Sequence, residues 1–403
     1  MKILYVADGR SPIALNWIEY FLTQGHEVHL ASTFACDPPL PLASLTWTPV
    51  AFSEKKAAHQ QLAGGSNRFI WKPSAVRLRT AVRQWLGPLT FPLAARKLSQ
   101  LIAEIKPDLV HAMRIPYEGM LAALALEGLP PSRFGSAGRK VPPLLVSVWG
   151  NDFTLHAKAT PILASYTRRT LLQATALHSD CQRDLRLARD LGFEPSRPAV
   201  VLPGNGGVRL DWFYPPANPA ERAVYPTVIN PRGFRAYVRN DTFFAAARRV
   251  LARHPEIKFI CPSMAGEAQA HRWIAEVGID QAVTLLPKVP LAQMANLFRQ
   301  AHVAVSITTH DGTPNTLLEA MACGCYPIAG DLESLHEWIT PGVNGMLVDP
   351  NDPAVLAEAI ITCLQDVELR AKVAQHNGQL VRERASYAQN MEEAARFYRS
   401  LIV

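Results

Sequence analysis

Short apolar runs alternate with longer amphipathic stretches along the whole chain. Ile3–Ala7 has the length of a buried strand. Ile13, Trp17, Ile18, Phe21 and Leu22 then recur at helical spacing until Gly25 can stop the helix. Val28–Ala31, Leu109–Ala112, Leu144–Val148 and Val200–Leu202 repeat the strand signature, with helical segments between them. A turn-rich stretch follows, with PGNGG at 203–207 and YPPANP at 214–219. Beyond it the pattern restarts. Thr227–Asn230, Lys258–Cys261, Val283–Leu286, Val303–Ile307, Tyr326–Ala329 and Met346–Val348 read as strands, and 241–253, 291–301 and 353–365 as helices. Uninterrupted apolar strands separated by helices predict parallel sheets covered on both faces. Two such α/β units are expected, with a boundary near 203–222. Residues 386–402 form a terminal amphipathic helix with Met391, Ala394, Ala395, Tyr398 and Leu401 on one face.

Composition narrows the class. With 403 residues, 48% of them hydrophobic and 19% charged, the chain is too apolar for disorder and long enough for two cores. Six cysteines without a CxxC pair exclude a disulfide scaffold and suggest a reducing compartment. Met1–Asp8 reads as a strand rather than a secretory leader, and no apolar run is long enough to span a membrane. The net charge of +7 favours an anionic partner. Much of that charge lies in 55–103, which holds nine Lys and Arg, no Asp or Glu, and interleaved aromatic and aliphatic residues including Trp71, Trp85 and Phe91. Such a stretch either lies on an anionic membrane or acceptor, or is an ordinary solvated face whose apolar side packs inward.

The chain lacks GxGxxG, the Walker phosphate loop, HExxH and the GxSxG elbow, which lowers dehydrogenases, P-loop enzymes, zinc enzymes and α/β-hydrolases together. The segment 303–330, VAVSITTHDGTPNTLLEAMACGCYPIAG, reads as strand, polar loop, helix and strand. Pro314 suits a first helical turn, so Gly312, Thr313, Pro314, Asn315 and Thr316 surround a helix N-terminus, a place that attracts phosphate. Glu319 stands eight positions after Asp311. A carboxylate there can accept from a sugar diol; on spacing alone the two acids are equally a loop acid and a solvated helix acid.

Asp311-x₇-Glu319, followed by Ala320-Met321-Ala322-Cys323-Gly324 and Pro327, resembles the E-x₇-E donor motif of the retaining GT-B glycosyltransferases, closest to glycosyltransferase family 4. Lys106-Pro107-Asp108-Leu109-Val110-His111, Ser147 to Asp152 (SVWGND), Pro203 to Phe213 and Gly342 to Asp349 resemble further family segments. The likeness implies a GT-B fold: two Rossmann-like α/β domains facing a central cleft. The acceptor domain would be 1–203 with the helix 386–403 crossing back onto it, and the donor domain 204–385. It implies transfer of a sugar from a nucleotide-sugar, a UDP- or GDP-sugar, to a hydroxyl acceptor such as a lipid-linked or cell-surface glycan precursor, with retention, no metal and no cofactor. Nucleic acid is not an expected partner, and a cytoplasmic enzyme at the inner membrane face is.

The family's sites carry over residue by residue. Asp311 would hold sugar hydroxyls and Glu319 the ribose. Arg235 and Arg239 match the phosphate-binding pair, with Arg232 a competitor in the same loop. Base contacts would fall near Pro287–Pro290, including Val289. Gly9, Arg10, Ser11, Trp149, Asn151 and Asp152 would face the acceptor. His111 is the candidate pocket histidine, against the reading of a core histidine at a strand end. The chain departs from the family in having Asp at 311, Met113 for a second histidine, and Trp149 where many members have histidine. A sugar-nucleotide epimerase, a phosphorylase or a binding-only protein on the same scaffold are the alternatives.

Overall fold

The computed structural model describes residues 1–51, 53, 83–129 and 141–402. Contacts divide the chain into two compact units, 1–206 with 391–403, and 207–390.

The first unit is built on a parallel sheet of seven described strands: β1 (Lys2–Ala7), β2 (Glu27–Ser32), β3 (Ser44–Trp47), β4 (Leu109–Ala112), β5 (Leu144–Val148), β6 (Ala176–Ser179) and β7 (Ala199–Val201). Their spatial order is β3-β2-β1-β4-β5-β6-β7. The second unit has six: β8 (Thr227–Ile229), β9 (Lys258–Cys261), β10 (Val283–Leu285), β11 (Val303–Ser306), β12 (Tyr326–Gly330) and β13 (Met346–Val348), ordered β10-β9-β8-β11-β12-β13. Every pairing is parallel: Tyr5 lies opposite Leu30 and His111, and Val303 opposite Val228 and Tyr326. The α/β alternation read from the chain is therefore the observed architecture, and β3 and β6 are additions to it.

Central strands are buried along their length, since helices cover both faces; Ile3 to Ala7 are wholly inaccessible. Each such Val, Leu, Ile or Phe contributes about 1.5–3 kcal/mol relative to leaving it in water. The helix Phe91–Ile105 shows how its sequence positions it. Pro92 starts it without sacrificing a needed donor. Phe91, Ala94, Ala95, Leu98 and Ile102 line the buried face, and Lys106 ends it in the left-handed region. Phe91 is thus core. The expectation that it enters a membrane headgroup layer is corrected: its ring packs edge-on against Tyr117 and Tyr166. Trp71 and residues 55–82 lie outside the described residues.

A buried hydrogen-bonded chain fixes the C-terminal helix Tyr387–Ile402 to the first sheet. His178 Nε2 donates to the Leu202 carbonyl oxygen (3.0 Å). A carbonyl only accepts, so this end sets every other direction. Ser147 Oγ donates to His178 Nδ1 (2.8 Å), and His111 Nε2 donates to Ser147 Oγ (2.7 Å). Tyr398 Oη then donates to His111 Nδ1, and Tyr5 Oη to Tyr398 Oη (3.2 Å). Tyr398 also stacks on Phe21 at 4.3 Å. The chain needs both histidines neutral. Burial, with His178 as a minor neighbour, holds His111 well below its ordinary value; burial lowers His178 to about 4, against the opposing bond to Leu202.

A folded-state value below the unfolded one means that the unfolded chain takes the proton first. Stability is therefore complete above pH 6.5 and falls from there toward about pH 4, by about 1.4 kcal/mol per pH unit for each histidine. Urea midpoints of the first unit measured between pH 7.5 and 5 should show this slope, and His178→Gln should reduce it. A flat profile in the wild type would contradict the neutral chain.

Candidate functional site

In a parallel sheet all strands end at the same edge. Where one strand's neighbours lead the chain away in opposite directions, the loops part and leave a crevice. In the second unit that switch point lies between β8 and β11, and the loops leaving these two strands carry the sequence-predicted donor residues.

The loop after β8 is rigidly built. Asn230 Nδ2 donates to Asn240 Oδ1 (3.0 Å), Asn240 Nδ2 donates to the Gly233 carbonyl (2.9 Å), and Asn230 Oδ1 accepts from Arg232 N–H (3.2 Å). The side chain of Arg232 is thereby directed at the loop after β11. Its Nη2 donates to Asp311 Oδ2 at 2.6 Å, and the side chains are only 9% and 14% exposed. Asp311 Oδ2 also accepts from Thr308 Oγ1 (3.2 Å), while its carbonyl accepts from Ser334 Oγ (2.8 Å). Thr313 Oγ1 accepts from Trp338 Nε1 (3.0 Å), pinning Gly312 and Thr313 just before the helix Asn315–Ala322. Thr316 lies on the Arg232 side, its hydroxyl 3.5 Å from Nη1.

Polar groups are left open in this pair and in the helix that follows Asp311. Arg232 Nε and Asn315 Oδ1 are buried with no partner among the described residues. Glu319, one turn into the helix, is buried too, and none of the described residues bonds its carboxylate. Desolvation alone raises its pKa to about 7. Folded proteins seldom leave such groups unmet, because each costs about 1–3 kcal/mol. A cation, two carboxyls and an amide oxygen at one strand-end crevice form a site for a ligand with both anionic and hydroxyl groups.

The two arginines expected as the phosphate pair are held elsewhere in the same loop. Arg235 is exposed and donates to Tyr237 Oη (3.0 Å). Arg239 is paired with Asp241 (2.7 Å) and bonds Asn351. The cation paired with Asp311 is Arg232. Val289 is half-buried in the segment after β10, where the Pro287 carbonyl accepts from Ser263 N–H (3.2 Å).

In the first unit the switch point lies between β1 and β4. After β1, Gly9 N–H donates to Ser32 Oγ (3.1 Å), and a Cβ at Gly9 would meet Cys36 Sγ at 2.4 Å unless that side chain moved. Arg10 grips Asp8 with two bonds of 2.9 Å and lies 3.8 Å over the Phe34 ring, while Ser11 starts the next helix without a side-chain cap. After β5, Asp152 Oδ2 accepts from Trp149 N–H (3.0 Å). Asp152 Oδ1 and Asn151 Oδ1 accept from Arg114 (2.8 and 3.0 Å). His111 is wholly buried with both ring nitrogens hydrogen-bonded, the environment of a core histidine at a strand end.

Glu118 was not among the residues singled out in the sequence. It is buried at the end of the β4 loop, just after Tyr117, whose φ of 72° and ψ of −62° describe a strained γ-turn. Its Oε1 accepts from Thr33 Oγ1 (2.7 Å). Burial raises its pKa to about 7, against the lowering effects of Thr33 and Arg114; Asp8 adds slightly to the rise. A lone acid inside the apolar stretch 115–126 was the available signal. Elsewhere in this unit Asp180, Cys181 and Asp184 gather within 4.8 Å. Arg183 pairs with Asp184 there, and burial pushes the Cys181 thiol up.

The carboxyl of Glu118 should titrate near pH 7 in a ¹³C NMR titration. Thr33→Val, which removes a bond favouring the ionised form, should move that titration upward. A midpoint near 4.5 in the wild type would show the carboxyl to be solvated.

The chain matches two family models, one described as a glycosyl transferase 4-like domain over residues 9–204 and one as glycosyl transferases group 1 over 233–366. Among similar sequences is a D-inositol 3-phosphate glycosyltransferase of Geodermatophilus obscurus, 32% identical over 52% of this chain and 51% of that protein. The Mycolicibacterium smegmatis protein of the same name is 30% identical over 46% and 44%. The alignments span about half the length of these relatives. Among solved structures, sucrose-phosphate synthase from Thermosynechococcus elongatus superposes with a TM-score of 0.74 at 16% identity, covering 100% of this chain and 99% of that one. Anabaena HepE in complex with UDP-glucose gives 0.69 at 17%, covering 99% and 100%. The GT-B fold expected from the sequence is the observed one.

Proposed function

This chain belongs to the group 1 glycosyltransferases, and on that premise we propose that it moves a sugar from a nucleotide-sugar to an acceptor hydroxyl, with retention of anomeric configuration and without a metal. The observation that carries this reading is the buried, unbonded carboxylate of Glu319 in the helix that follows the Arg232–Asp311 pair of the β8/β11 switch point. Glu319 accepts from the ribose hydroxyls. Asp311 orients the sugar. Arg232, Nε included, and the amides of 312–316 meet the diphosphate. Arg235, exposed in the same loop, is the second cation within the donor's surroundings. The similar Anabaena HepE forms a complex with UDP-glucose, which supports a UDP-sugar donor.

Breaking the anomeric C–O bond leaves positive charge on the sugar and an additional negative charge on the departing diphosphate. Fixed cations and amides stabilise that charge without reorganising, and the leaving phosphate oxygen takes the acceptor proton. No strong protein base is needed, consistent with a wholly buried His111.

The acceptor belongs to the first unit. The relatives named above take a phosphorylated polyol by their names, and Arg10, Arg83 and Arg114 stand on the switch-point loops or against their rings, Arg83 at 4.5 Å from the Tyr117 ring centroid. We therefore read the acceptor as a hydroxyl compound bearing an anionic group. The acid-free segment 55–103 extends that preference to an anionic membrane surface. No helix among the described residues is long and apolar enough to cross a membrane.

Glu319→Gln should weaken UDP binding about tenfold or more in calorimetry, since each bond to a charged group is worth about 1.5–3 kcal/mol. Wild-type affinity should fall on acidification below pH 7, by up to about tenfold per unit, because the ribose selects the ionised carboxylate; the Gln variant should be flat. Unchanged affinity in both respects would remove Glu319 from the donor site.

Arg232→Ala should lower kcat more than Arg239→Ala in a sugar-transfer assay, because the diphosphate charge grows in the transition state. The reverse order would restore Arg239 as the phosphate ligand. Donor turnover without glycosylated product would favour an epimerase or phosphorylase.

A further inference from the structure

We propose that the outer face of the helical stretch 83–105 is a membrane-inserting wedge of the first unit, its occupant the headgroup layer of an anionic bilayer. This rests on the reading that the acid-free basic segment faces an anionic surface, and it names the residues that enter that surface.

The stretch runs as a helical turn, a 3₁₀ turn at Gly87–Thr90 and the helix Phe91–Ile105. Its inner side is filled: Gly87, Pro88, Phe91, Ala94, Ala95 and Leu98 are buried. The outer side carries Trp85, Leu86, Leu89 and Leu93, which are 53%, 48%, 72% and 72% exposed. All four lie within nine residues, on the side of the stretch opposite its buried Phe91, Ala94, Ala95 and Leu98. A soluble protein gains nothing by showing water a tryptophan and three leucines on a single face, and such a cluster marks an interaction surface.

Charge selects the occupant. No acid occurs between residues 55 and 103, so nothing in this sequence opposes an anionic partner. Arg96 and Lys97 follow Leu93 by one turn on the exposed side. Lys97 donates to the Trp47 carbonyl (2.6 Å), which ties the helix to the edge strand β3, where Leu45 and Trp47 are exposed in turn. An apolar face bordered by cations and tryptophans matches the boundary between acyl chains and anionic headgroups, with Lys and Arg reaching outward to the phosphates. A protein partner of this patch would need its own apolar face ringed with acids; a bilayer supplies both properties without one.

Co-sedimentation of the full chain with phosphatidylcholine vesicles containing about 30% phosphatidylglycerol tests this. At low salt the wild type should pellet. Leu89→Glu with Leu93→Glu should reduce the bound fraction about tenfold or more, without changing thermal unfolding, since both side chains are mostly in water. Brominated lipid should quench tryptophan fluorescence, and Trp85→Phe should remove most of that quenching. Binding kept at wild-type strength in the double variant overturns the wedge while leaving the electrostatic reading intact. Failure of the wild type to bind anionic vesicles at low salt, or equal binding to neutral ones, overturns the electrostatic reading and the wedge with it. A dimer in light scattering that the double substitution dissociates would show a second copy on this face and overturn the proposal.

Discussion

A strand buried on both faces can pair with its parallel neighbour only through a crossover, and each crossover here returns the chain to the same edge of the sheet. Every loop that leaves a strand end is thus delivered to one side of its unit. The switch points at β1/β4 and β8/β11 are the places where adjacent loops diverge. The Arg232–Asp311 pair spans the second of these, and Arg10 and Arg114 leave the strands that flank the first. These residues lie far apart in sequence: 232 and 311 meet because β8 and β11 are neighbours.

Buried polar groups differ in how fully the folded chain meets their hydrogen bonds. Tyr5, Tyr398, His111, Ser147 and His178 form a chain in which each donor has an acceptor, ending on a carbonyl. Such a chain fixes tautomers and anchors the terminal helix. Glu319, Arg232 Nε and Asn315 Oδ1 are buried without that satisfaction, so their desolvation is recovered only when a ligand arrives. A fully bonded group has nothing left to offer a substrate. On this criterion His111 is bonded as a core histidine, and Arg232 is the cation joined to Asp311 at the switch point.

The first unit adds a second pattern of incomplete satisfaction, on its surface. The inward residues of 87–98 make a compact core contact, while the outward residues of the same turns meet water. The stretch therefore shows apolar side chains on its outer side, Trp85, Leu86 and Leu89 before the helix and Leu93 in its first turn, as well as on its buried face. Only one is needed for folding, and the other has to be accounted for by what the protein touches.

The chain by itself determined the α/β alternation, the parallel sheets, the two-part organisation of pattern, and the strand–loop–helix–strand segment 303–330, because these depend on local periodicity and on motifs that are contiguous. It could not show β6, since His178 breaks the apolar run and is buried only because Ser147 and Leu202 satisfy it. It could not show β3, a short edge strand whose residues alternate between half-buried and exposed. Nor could it rank Arg232, Arg235 and Arg239, which look alike in one loop until Asn230, Asn240 and Gly233 orient the backbone. The ionisation of Glu118 and Glu319 and the commitment of His111 were decided by burial and by partners 85 and 287 residues away in the case of Thr33 and Tyr398. Periodicity is written in neighbouring residues; desolvation and hydrogen-bond satisfaction come from groups that only the folded chain brings together.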